Sequence, residues 1–261
     1  MNQDSGSALS KVGRARKLAD ELEAEIGAFW DARPCELEIV GGQSAGDGSF
    51  RVKRMRAVPD NIALIMGDAA HNLRSALDHF AWAAVSAQDR GTRTYFPIWG
   101  KTAVPGPGEW REQVCRQLKG APVGLIDAVA QLEPWEMGRD SLLWAIHELD
   151  RIDKHRLLLS VAVAVTGIEL NGDSYELAVV KKYSGMDERG PLLVELRQWT
   201  PVEEGVVLFG SPADLAATEA TFFFDVTLSE PVMLRDKPAV IWLRLLADRA
   251  ETVITDLACL A

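Results

Sequence analysis

The four histidines of this 261-residue chain lie in two segments of matching layout, HNLRSALDH (71–79) and HELDRIDKH (147–155). Histidine titrates near neutral pH, so it can move a proton or bind a metal. On a helix, eight residues separate two side chains by about 12 Å along the axis. The two histidines of one segment therefore cannot share one metal ion. If the two helices pack antiparallel, His71 approaches His155 and His79 approaches His147. Within the first segment, Arg74 and His79 form an R-x4-H pair, about 140° apart around a helix and roughly 7 Å along it. Cleavage of RNA by its own 2′-hydroxyl needs a base, an acid and a cation near the phosphate. Histidine supplies the proton transfer and arginine a forked, permanently charged phosphate ligand. On that reading Arg74 holds the scissile phosphate and His79 is the acid or base. His71, Asp78, His147 and His155 orient or complete the site.

Two other readings compete for the same residues. The first is a structural network in which buried His, Arg and Asp fix the register of the helices. The second is a metal site. Asp68 and His71 are three apart and can face one ion, and imidazole with carboxylate suits zinc, iron or manganese. No H-E-x-x-H or Glu-x-x-His pair accompanies them, and neither a metal nor a cofactor enters the preferred reading. Asp153 falls near the apolar side of its helix, and a buried carboxylate needs a partner, so a bond to an arginine or to backbone amides is expected.

The elements that must carry these residues follow from periodicity. Leu9, Val12, Leu18, Leu22, Ile26 and Phe29 recur at helical spacing and predict a helix over 8–30. Strand-like pieces at 36–40 and 50–58 flank the Gly- and Ser-rich GGQSAGDGS, as a hairpin would. Asp60 or Asn61 caps a second helix running to about Gln88. Its stripe is Ile62, Ile65, Met66, Ala69, Leu73, Ala76, Leu77, Phe80 and Ala84. The opposite side carries Asp68, His71, Arg74, Ser75, Asp78, His79 and Trp82, with no Lys or Glu between 60 and 88. A solvated face normally holds those two residues, so this face is expected to meet a helix, a second subunit or a ligand. A Gly- and Pro-rich loop follows, in which FPIW reads as an apolar plug on the core. Short helices are expected at 109–119 and 122–132, then a helix capped by Asp140 or Ser141 and reaching about Leu159. Leu142, Ala145, Ile146, Leu149 and Ile152 form its stripe, with Trp144, His147, Arg151, Lys154 and His155 opposite. Strands are expected at 160–167, 175–183, 192–199, 206–210 and 221–228, and a closing helix at 238–260.

The fold class is therefore α+β: a bundle of the first, second, histidine-bearing fourth-region and final helices beside an antiparallel sheet in the C-terminal half. Residues 1–160 form the mainly helical region, with a hairpin near 36–58. Residues 161–261 form a β-rich region plus the closing helix, and the two pack as one compact unit. The net charge of −10 disfavours coating nucleic acid through bulk electrostatics. RVKRMR (51–56) reads as a charged edge strand or, less simply, an anion-binding patch. No stretch is long and apolar enough for a membrane span, and the N-terminus does not read as a secretory signal. Three scattered cysteines suggest neither disulfides nor a zinc knuckle, and point to a reducing cytoplasm. P-loop, nucleophile-elbow and dinucleotide-binding fingerprints are all absent from the sequence.

GDAAHNLRSALDHFAW, FPI and HELDRIDKHRLLL, in that order, resemble blocks of a bacterial protein family, best over residues 60–160; that likeness implies no activity. More distantly, the chain resembles the HEPN superfamily of helical-bundle proteins. Many of those are metal-independent ribonucleases of bacterial defence systems, with an R-x4-6-H motif that meets its counterpart across a homodimer. The resemblance maps that motif onto Arg74, Ser75 and His79, and implies a homodimeric endoribonuclease or RNA-binding protein of a defence or stress system. The sheet and the second histidine helix, with Arg151 and His155 at R-x3-H, depart from that pattern. The alternatives are a non-catalytic dimeric interaction protein and a metal-dependent hydrolase at the same histidines.

Overall fold

The computed structural model describes residues 3–41, 47–100, 103–155, 159, 161–171, 192–212 and 219–261. Among these it contains six α-helices and two small antiparallel sheets, an α+β architecture. The chain divides into two units. One comprises Met1–Glu25, Asp60–Ser160 and Leu228–Ala261, the other Ile26–Pro59 and Val161–Thr227.

The first unit is helical. It contains most of α1 (Gln3–Asp31), then α2 (Asp60–Ala84), α3 (Pro107–Gln117), α4 (Val123–Leu132), α5 (Ser141–His155) and α6 (Ala239–Ala258). The long periodic stripes became these helices, with ends within a few residues of expectation. α2 is the hub and packs along both α5 and α6. Its predicted apolar stripe is buried from Ile62 to Phe80. α2 stops at Ala84 rather than near Gln88 because Arg90 folds back on its end. The guanidinium donates to the carbonyls of Val85 (3.0 Å) and Ala83 (3.4 Å), occupying acceptors that a helix end leaves open. α1 is tied to α6 by Arg16 with Asp248 and Glu251, and by Arg244 with Asp20 and Glu23. These exposed pairs contribute little each; Val12, Leu18 and Leu22 beneath them carry the packing. α5 is buried over a wider arc than its stripe, since Leu143 and Trp144 are also covered. At its start the buried Asp140 accepts two bonds from Arg249 of α6, at 2.6 and 3.0 Å. The FPIW segment is buried throughout, as expected of a plug.

In the second unit, β1 (Cys35–Gly41), β2 (Asp47–Met55) and β5 (Val207–Pro212) form one sheet in the order β1-β2-β5. β3 (Val161–Asn171), β4 (Leu192–Pro201) and β6 (Glu219–Leu228) form the other, in the order β4-β3-β6. The RVKRMR run has a strand on both sides only at its start, where Arg51 lies opposite Glu38 of β1 and Val207 of β5; past Val52 it pairs with β1 alone among the described residues, so that half is the expected edge. β2 pairs with β1 on one side (Glu38 opposite Arg51) and with β5 on the other (Phe50 opposite Phe209). Its cations face the glutamates of β1: Arg51 bonds Glu38, and Arg54 and Lys53 lie near Glu36, while Val52 between them is buried. The strand expected at 175–183 lies outside the described residues.

Candidate functional site

The α2–α5 contact sets the site. The helices run antiparallel, with Gly67 against Asp153 at one point and His71 against Asp150 at the next. A Cβ on Gly67 would lie 2.1 Å from Asp153 Oδ1 and 2.6 Å from its Cγ. The glycine thus lets a carboxylate sit directly on the backbone of α2. This register brings Asp150, not His155, to His71. Asp150 is 4% exposed. It accepts from His71 Nδ1 at 2.9 Å and from Lys154 Nζ at 2.7 Å. The expected arginine or amide partner of Asp153 is not found among the described residues. Burial, then the neighbouring Asp150 and Asp68, push its carboxyl pKa up.

Gly67→Ala is expected to cost about 1–3 kcal/mol through overpacking, although alanine is the better helix former by about 1 kcal/mol. Asp153→Ala in the same chain should return the stability to the parent value or above it. Urea unfolding of the three variants checks this. A single Gly67→Ala variant as stable as the parent would show that the close approach carries no strain.

Arg74 faces inward and is only 6% exposed. Its Nη2 donates to the Phe96 carbonyl at 3.0 Å and stands 2.8 Å from Asp78 Oδ1. Asp78 Oδ1 also accepts the Phe96 amide at 2.9 Å. One arginine and one aspartate, a helical turn apart, thus grip both main-chain groups of Phe96 and hold the plug against the bundle. Burial raises the Asp78 pKa, against the lowering effects of Arg74 and the Phe96 amide. His147, on α5, is brought beside Arg74. Its pKa is lowered to about 4, first by burial and then by the Arg74 charge. Two atoms of this cluster, Arg74 Nη1 and His147 Nδ1, are buried without a hydrogen-bond partner.

His79 points the other way. It is exposed, and its Nδ1 shares a 2.8 Å hydrogen bond with Ser7 Oγ of α1. It lines an open cavity of about 430 Å³ with Ser7, Asp78, Trp82, Ala83 and Thr94. His155 is exposed at the end of α5 with no hydrogen bond among the described residues. Of the six candidates, the structure therefore gathers Arg74, Asp78 and His147 into one cluster, buried except for Asp78, which also borders the outer cavity. It places His71 in a hydrogen bond with Asp150 nearby and His79 on the outer cavity, and leaves His155 apart. The reading from sequence missed three partners: the Phe96 main chain, Asp150 and Ser7. Asp150 carried a faint signal, since Lys154 lies one turn on, at ion-pairing distance. Among the described residues, no three His, Cys, Asp or Glu side chains are placed to hold a metal ion.

No family model, curated protein or solved structure matches this chain. Among the described residues no helix is long and apolar enough to cross a membrane.

Proposed function

We propose that this is a non-catalytic interaction protein, in which the Arg74–Asp78–His147 cluster is structural and the exposed face of α2 is the contact surface. The observation that carries this is the burial of Arg74. The one permanent cation of the R-x4-H pair is spent on Phe96 and Asp78, so it reaches no phosphate unless the plug is released. The outward residues of α2 are Leu64, Asp68, His71, Ser75, His79 and Trp82. They hold no Lys or Glu, two of the types depleted at interface cores, and include the exposed Trp82, of a type enriched there. Three free cysteines, two of them exposed, fit a reducing compartment.

A second reading, a HEPN-like metal-free endoribonuclease, is favoured by one observation: His79 is accessible, and lies in a cavity beside an aromatic ring and a half-buried carboxylate. The two readings part on one assay. Purified protein in excess EDTA is expected to leave a mixed RNA pool intact. Cutting that leaves 2′,3′-cyclic phosphate ends and disappears in His79→Ala would overturn the interaction reading in favour of the nuclease. His79→Ala is the informative variant, because its exposed side chain can be removed without disturbing the buried cluster.

A further inference from the structure

We infer that the open cavity between α3 and α4 binds a trimethylammonium group, held in the corner of Trp110 and Trp135 and facing the Glu133 carboxylate. The site shares no residue with the outward face of α2, and stands whether or not that face is a contact surface.

The cavity has a volume of about 600 Å³, within the range of small-molecule sites. Its walls come from the start of α3, the end of α4 and the turn that follows. Trp110 is the deeper wall. It is 5% exposed, and its Nε1 donates to the Ala130 carbonyl of α4 at 2.8 Å. Trp135 lies half-buried beside it, with ring centroids 5.8 Å apart and planes at 78°. Two indoles at nearly a right angle make a corner, and the electron-rich face of an indole attracts a cation. The turn that carries Trp135 is closed tightly. The Trp135 amide donates to the Glu133 carbonyl at 3.0 Å, and the Gly138 amide to the Trp135 carbonyl at 2.9 Å. A Cβ on Gly138 would lie 2.0 Å from the Glu133 carbonyl oxygen, so only glycine closes this turn. The ring is therefore in place before a ligand arrives, which lowers the cost of binding.

Glu133 supplies the charge. It ends α4 with φ 51° and ψ 56°. Helices reach that left-handed conformation most often on glycine, because a side chain resists it. A carboxylate there also sits at the negative end of the helix dipole, and the last turn of α4 holds no basic residue. Glycine would avoid both penalties, but glycine could not hold a cation. The other charges on the cavity cancel, since Arg111 lies 2.6 Å from Asp127. One carboxylate is left uncompensated beside two aromatic walls.

That combination selects the ligand. A bare metal ion needs several oxygen ligands, and among the described residues no three His, Cys, Asp or Glu side chains are placed to hold one. A primary ammonium or a guanidinium needs acceptors at hydrogen-bond distance for its N–H groups. A trimethylammonium group has no N–H to satisfy, and takes aromatic faces with a negative charge nearby.

Isothermal titration of the full chain with choline, and separately with a short peptide carrying trimethyllysine, tests this. The tighter arm tells whether the group arrives on a free small molecule or on a modified protein. Binding at millimolar concentration or below is expected in at least one arm. Trp135→Ala should weaken it roughly ten-fold and Glu133→Gln roughly five-fold. Glu133→Gly should weaken it as Glu133→Gln does while melting no lower than the parent, so the outcome does not depend on Trp135→Ala folding. Three results would overturn the proposal: no binding in either arm; equal binding of the unmethylated peptide or of the uncharged isostere of choline with carbon in place of nitrogen; or unchanged binding by Glu133→Gln.

Discussion

Arg74→Ala is expected to lower stability by about 3 kcal/mol, the largest single-residue loss among the six candidate site residues. The change removes a charge-assisted bond to the Phe96 carbonyl and deprives Asp78 of its counter-ion. Breaking one side of a buried ion pair costs about 3–5 kcal/mol, mostly from the charge left behind. Asp78 is about one-third exposed, so water relieves part of that penalty and places the loss at the low end. For a chain of this size the melting temperature should fall by roughly 6–12 °C. Arg74→Lys should recover little, because an ammonium cannot span carbonyl and carboxylate as a planar fork does. Arg111→Ala is the control. Arg111 of α3 pairs with Asp127 of α4 with both side chains about half exposed, and its loss should leave stability within measurement scatter of the parent. A nuclease in which Arg74 served a substrate would behave in the opposite way, losing activity at little cost in stability. Urea unfolding of Arg74→Ala, Asp78→Ala and the double variant separates the two. A coupling near zero would mean that the grip on Phe96 does not hold the plug in place.

How far this was legible in the sequence depends on which contacts are local. The stripes of α1, α2 and α6 predicted their helices, because burial of one face repeats every 3.6 residues whatever that face meets. The FPIW plug was legible for a similar reason: four apolar residues inside a Gly- and Pro-rich loop have nowhere else to go. The α2–α5 register was not. It is set by Gly67 lying under Asp153, and a glycine leaves no hydrophobic signal. The five-residue slip that follows gives His71 an aspartate in place of His155. Helical geometry alone puts Arg74 on the polar face, and its position beside Leu73 on the border of the stripe is compatible with either side. What turns it inward is the Phe96 carbonyl, 22 residues away along a loop. The sheets show the same limit. The alternation in β2 marks a strand, but its second neighbour is β5, some 155 residues on. The four cations of RVKRMR mark an edge, which holds past Val52, but not the glutamates of β1 that they meet or the β5 neighbour at Arg51.

The acid sensitivity of the fold should be carried in large part by His147. Its pKa in the folded chain is about 4, against 6.5 for the free side chain. Burial disfavours the charged ring, and a proton there would set a second cation beside Arg74. The unfolded chain takes up that proton near pH 6.5 while the folded chain refuses it until about 4. Stability contributed by the neutral ring is therefore complete above about pH 6.5 and lost as the pH falls toward 4. At 1.36 kcal/mol per pKa unit the loss is roughly 3 kcal/mol. Asp78 and Asp153 work against it, since their raised pKa values make the folded chain the better proton acceptor in acid. The quantity to measure is thus the difference between parent and His147→Leu in urea unfolding at pH 7 and pH 4.5. The parent should lose about 2–3 kcal/mol more than the variant between those two conditions. Equal losses would mean that the folded chain protonates His147 as readily as the unfolded one, with the orphaned Nδ1 finding a partner in acid.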